Sequence, residues 1–127
     1  MHVWAYEFTA PTPIEALEAA LNRAGPWSWQ LRDSHWYGDY LNVRPLDKLR
    51  VRIHEQGAGM LEWEAAARRG VTLPDEQERR RRGTFSYRLL VEMDDGCASE
   101  RPAIDGVLSS LLRGVDAHDI REIAPYD

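Results

Sequence analysis

Cysteine is almost missing from this chain. Of 127 residues only Cys97 is one, so no intramolecular disulfide can form. Long apolar runs are missing too, and without a stretch of about 18 apolar residues no segment reads as a membrane-spanning helix. The opening residues MHVWAYEF carry neither a basic start nor an apolar stretch of signal-peptide length. These absences predict a reducing, cytoplasmic location. Metal spacing is also lacking: the histidines stand at positions 2, 35, 54 and 118, far apart and far from Cys97, so no zinc motif is present. Gly57-Ala58-Gly59 lacks the third glycine and the following helix expected of a dinucleotide fingerprint, and no GK[ST] occurs. Ser34 and Ser86 lack a glycine elbow, and Cys97 follows Asp94-Asp95-Gly96, whose charge disfavours a thiolate. No catalytic, metal or cofactor site is therefore predicted.

What is present fits one domain over residues 1–127, long enough to bury roughly two thirds of its unfolded surface. The net charge of -5 is uneven: Glu92 to Asp127 holds nine acids against Arg101, Arg113 and Arg121. An acidic end argues against general nucleic-acid affinity, which needs a basic footprint, and suits solubility or a basic protein partner.

Hydrophobic periodicity places the elements. Residues 3–8 alternate as a strand, with Trp4, Tyr6 and Phe8 on one face. Thr12, Pro13 and Glu15 predict a capped helix start, and Ile14, Leu17, Leu21 and Ala24 form its stripe up to Gly25-Pro26. Trp27 to Asp33 reads as a second strand burying Trp27, Trp29 and Leu31, and Tyr40 to Arg44 as a third after a Gly-Asp turn. Leu49, Val51 and Ile53 alternate with Arg50, Arg52 and His54. After Gly57 to Gly59, Leu61, Trp63 and Ala65 alternate with Glu62 and Glu64, which predicts a hairpin setting Arg52 opposite a glutamate. Residues 66–83 read as a charged loop excursion with a short helix after Pro74, and the Arg79 to Arg82 run as solvated. Phe85, Tyr87, Leu89, Val91 and Met93 share one face of a further strand, and Leu90 on its other face predicts a central position. A helix over about 102–113 carries Ile104, Val107, Leu108, Leu111 and Leu112 and is capped by Gly114; residues 118–123 form a last strand. The result is an α+β two-layer sandwich: a mostly antiparallel sheet of five to seven strands with two helices on one face. Its other face is polar, bears Arg50, Arg52, Glu62 and Glu64, and is where a partner can dock.

Functional chemistry concentrates in WSWQLRDSHWYGDY, residues 27–40, which holds three of the five tryptophans and two of the five tyrosines. Tyr, Trp and Arg dominate binding hot spots because they combine stiff contact area with a polar handle. Asp33, His35, Trp36, Tyr37, Asp39 and Tyr40 are the predicted partner-binding residues: the aromatics anchor and the aspartates supply charge. This describes a protein-binding module. Small acidic α+β domains without catalytic motifs include immunity proteins that neutralise a cognate bacterial toxin, and the chain is similar to them in size and composition. Two alternatives use other residues. One is a small-ligand pocket lined by Trp4, Trp29 and Trp63; the other is a hydrolase or nuclease built on His35 and His54 with Asp33, Asp39 and Glu55. Self-association through a sheet edge is a further role open to such a domain.

Overall fold

The computed structural model describes residues 1–125, with residues 97 and 98 by their backbone alone, so the reactivity of Cys97 lies outside the described residues. In chain order the elements are β1 (His2–Ala10), α1 (Ile14–Ala24), β2 (Gln30–Ser34), β3 (Gly38–Leu46), β4 (Leu49–Glu55), α2 (Met60–Arg68), α3 (Glu76–Arg82), β5 (Phe85–Met93), a 3-10 segment (Asp95–Glu100), α4 (Arg101–Gly114) and β6 (His118–Ile123). The strands form one antiparallel sheet in the order β2-β3-β4-β5-β1-β6. The α+β class, the antiparallel sheet and the central position of β5 are as the alternation predicted.

One face of the sheet makes the core. Trp4 and Phe8 of β1, Leu41 and Val43 of β3, Val51 and Ile53 of β4, and Tyr87, Leu89 and Val91 of β5 are buried against Leu17 and Leu21 of α1 and Leu108, Leu111 and Leu112 of α4. Period-2 alternation brings the strand residues to one side and spacings of three and four bring the helix residues to meet them. Each fully buried Leu or Phe is worth roughly 1.5–3 kcal/mol, so this layer carries the stability. The Tyr87 hydroxyl, held protonated by burial, donates to the Thr12 carbonyl at 2.5 Å.

Several local expectations change. The predicted capping box at Thr12 does not form: Pro13 is the N-cap of α1 with no side-chain cap bond, one residue later than expected. Glu15 is thereby free to pair with Arg80 at 2.7 Å. Helix α4 runs through Gly114 and is capped by Val115. Strand β2 begins at Gln30, with Trp29 buried just before it and Trp27 half-buried against the core.

The largest correction is the second half of the predicted hairpin. Residues 60–68 are helix α2, so Glu62 and Glu64 do not lie on the sheet. Alternation over Leu61, Trp63 and Ala65 is too short to separate strand from helix, whereas Ala65 to Ala67 and the glutamates favour helix. Arg52 finds its carboxylate on β5 instead, bonding Glu92 at 2.6 Å. Helix α3 follows Pro74 as expected, capped by the Asp75 side chain on Glu78 N–H. Its Arg79 is not solvated: it donates to Glu55 at 2.9 Å and to the carbonyls of Gly57 and Pro74, and both partners of the ion pair are 12% exposed.

Candidate functional site

The sheet's second face is where α2 matters. Opposite the core residues of β3, β4 and β5 stand Tyr40, Arg52, His54, Arg88 and Leu90, placed in rows by the register Tyr40 to His54, His54 to Arg88 and Arg52 to Leu90. Leu61, Glu62 and Ala65 of α2, with Arg69 and Leu73 beyond it, form a facing wall. Trp36, Tyr37 and Pro125 complete the outline of a cleft of about 390 Å³, inside the range of roughly 300–1,000 Å³ typical of ligand pockets. A second hollow of about 460 Å³ lies beside β1 and β6 and is the larger of the two. Among its described lining residues the one guanidinium, Arg121, is bonded to Glu7, and the one aromatic, Phe8, is a core residue, so that lining offers little for recognition.

The turn between β2 and β3 is locked onto α2. The Ser34 hydroxyl accepts from the N–H groups of Trp36 and Tyr37 at 3.2 and 3.4 Å. Met60 N–H donates to the His35 carbonyl at 3.3 Å and Leu61 N–H to the Trp36 carbonyl at 3.1 Å, so the first two amides of α2 are spent on the aromatic turn. The approach requires Gly59, where a Cβ would stand 2.2 Å from the Trp36 carbonyl oxygen. Gly57-Ala58-Gly59 thus does precede a helix, contrary to the expectation, but its space is filled by the protein's own backbone. Tyr37 is held in turn by three neighbours: its ring lies 6.3 Å from Tyr40, 5.5 Å from His54 and 5.3 Å from the Arg52 guanidinium.

The cleft is rich in arginine, and the charge of Arg52 is met by Glu92 at 2.6 Å. Its described lining holds Arg52, Arg69 and Arg88 against one carboxylate, Glu62. Arg88 also donates to the Ala124 carbonyl at 3.0 Å, tying the end of the described chain to the cleft's rim. Burial, with help from Arg88 and then Arg52, lowers the His54 pKa to about 4. The imidazole is therefore neutral near pH 7, and its 3.8 Å approach to Glu62 is not an ion pair there. Glu62 is held by the Gly57 N–H at 2.6 Å.

Of the six predicted partner-binding residues, the structure brings together Trp36, Tyr37 and Tyr40. His35 is exposed beside them, its ring 4.9 Å from Trp36. Asp33 and Asp39 pair with each other across β2 and β3 and, by strand alternation, lie on the face opposite Tyr40. The proposed acid-base set is not assembled either: Glu55 faces away from His54 and holds Arg79. Trp4 and Trp29 are core residues, whereas Trp63 sits half-buried on α2 and donates to the Gly57 carbonyl at 2.7 Å, so the three do not line one pocket. Cleft residues that were not among the candidate site residues include Arg69, Arg88, Leu61 and Leu90. Leu90 had a signal in the alternation of β5, Arg88 depends on the pairing of β5 with β4, and Leu61 and Arg69 depend on where α2 folds. Among the described residues no three His, Cys, Asp or Glu side chains are grouped to hold a metal ion, and no described helix is long and apolar enough to cross a membrane. Comparison with known proteins finds no matching family model and no matching curated protein.

Proposed function

We propose that the chain is a protein-binding module whose contact surface is this cleft and its outer rim. The observation that carries the reading is the rim itself. Trp36, Met60 and Leu61 are 49%, 39% and 44% exposed where the aromatic turn meets the start of α2. Large apolar side chains left in solvent next to a polar, arginine-lined hollow are the composition of a hot spot waiting for a partner. The turn is also rigid, being bonded to α2 through two backbone hydrogen bonds, so little ordering entropy opposes association.

A toxin-neutralising inhibitor is one form of such a module. The aromatic half of the expected acidic and aromatic surface has support in the cleft; Asp33 and Asp39, on the opposite face, lend none to the acidic half. A small-ligand site is a second reading, favoured by the cleft's volume of about 390 Å³ and its tyrosine and histidine lining.

The test is photo-crosslinking in the native lysate from a benzophenone side chain placed at Leu61, followed by affinity measurement with the captured protein. One stoichiometric partner is expected, with Trp36→Ala weakening its binding by at least about tenfold, the scale of a hot-spot side chain. A crosslinked protein whose affinity ignores Trp36→Ala, or no crosslink at all, would remove the reading.

A further inference from the structure

Helix α1 carries a polar row beside its apolar stripe. Glu18 and Asn22 each follow a buried leucine, Leu17 and Leu21, and one step of four residues separates them by about 6 Å along the helix axis. Two residues of strand span about 6.7 Å. This match lets one row of α1 meet alternate backbone groups of an extended chain, and the chain beside it is the segment that enters β2. Asn22 takes both backbone groups of Trp29: its Oδ1 accepts from the N–H at 2.6 Å and its Nδ2 donates to the carbonyl at 3.1 Å. A residue on a neighbouring antiparallel strand makes the same two-way exchange. The Glu18 carboxylate accepts from the N–H of Leu31 at 2.5 Å.

Both contacts fall on the side of the chain away from β3. Strand β2 pairs with β3 from Gln30 to Ser34 and is the terminal strand of the described sheet. Because the Leu31 N–H is turned outward, ladder alternation turns the Asp33 N–H and carbonyl outward as well. An open row of such groups is a template for another chain. We propose that Asn22 and Glu18 act as a stand-in strand, a guard that keeps the β2 edge from pairing with β2 of a second copy of this chain. A second copy fits because it offers the same alternate groups, so two edges pair antiparallel about a two-fold axis. The guard is independent of what the cleft binds. Asn22 is exposed and Glu18 half-buried, so water can take over their bonds when the side chains are removed, while Ile14, Leu17 and Leu21 still hold α1 on the core.

Light scattering on the purified full chain, from micromolar to millimolar concentration, tests this, with amide exchange as the second readout. Wild type should keep the mass of one chain. Glu18→Ala combined with Asn22→Ala should speed exchange at the Trp29 and Leu31 amides by at least about fivefold, the scale of one lost hydrogen bond. Its mass should reach that of two chains or more as concentration rises. Adding Asp33→Pro, which removes an outward donor at an exposed edge position and spares the ladder to β3, should return the mass to one chain. Glu18→Gln alone keeps an acceptor and should behave as wild type. A double variant that stays single despite faster exchange would overturn the proposal and leave a local stabilising contact; unchanged exchange would overturn it too. So would association that Asp33→Pro does not reverse, or a wild type that already pairs through this edge. If the double variant does not fold, Asn22→Ala alone decides by the same readouts.

Discussion

The two faces of this sheet share a backbone and almost nothing else. One is sealed under α1 and α4, with aliphatic and aromatic side chains buried to a few per cent and, among the described residues, no buried polar or charged one. The other carries Arg52, His54, Arg88 and Tyr40 and faces α2 across a cleft. Adjacent residues of one strand belong to these different environments. Stability is concentrated on the first face and recognition chemistry on the second, so a substitution should act on folding or on binding according to which way its side chain points.

Leu89 and Leu90 give the sharpest contrast. Leu89 is fully buried in the core, while Leu90, its neighbour on β5, is half-buried in the cleft. Leu89→Ala should cost about 2–5 kcal/mol by urea denaturation, the usual range for a large core deletion. Leu90→Ala should cost about 1 kcal/mol or less. Equal losses at the two positions would break the comparison.

His54 tests the second face by pH. Its folded pKa of about 4 lies below the ordinary 6.5, so between those values the unfolded chain binds the proton and the folded one does not. Stability from this group is fully present above about pH 6.5 and is lost as pH falls toward 4, a change of about 3 kcal/mol. Replacing the imidazole by an amide in His54→Gln should flatten that part of the pH–stability curve. A wild-type curve with no slope there attributable to His54 would mean the ring is not desolvated by the cleft.

Gly59→Ala addresses the joint between turn and helix. Its methyl would meet the Trp36 carbonyl and the Tyr37 backbone, neither of which is a flexible side-chain end. A loss of about 1–3 kcal/mol is expected, typical of overpacking. Faster amide exchange at Met60 and Leu61 should accompany it, since their N–H groups bond the turn. Unchanged exchange would show that the turn does not depend on this contact. The smallest effect belongs to Asp39→Asn, which removes a like-charge pair directly across from Asp33. It should stabilise the chain by roughly 0.2–1 kcal/mol and leave binding at the cleft on the other side unaltered.

How far the sequence could be read follows the same division. The core face was legible because Phe85, Tyr87, Leu89, Val91 and Met93 obey a strict period, as do Ile104, Leu108, Leu111 and Leu112. The aromatic turn was legible by composition. Helix α2 was not: three alternating apolar residues satisfy either period, and its docking depends on a close approach of Gly59 to a carbonyl 23 positions earlier that no local pattern expresses. Arg88 reaches His54 only because β5 pairs with β4, a long-range choice that no local pattern around either residue expresses.

The strand order has a consequence in time. Strands β2, β3 and β4 form a continuous meander over residues 30–55, closed by short connections. In contrast β1 lies between β5 and β6, so its first residues must wait for partners such as Met93 and Ile123. Loop closure over such spans is slow relative to a local hairpin. The pairing of Tyr40 with His54 is therefore a local event and that of Arg88 with His54 a long-range one, so the aromatic wall of the cleft is expected to assemble before its arginine wall.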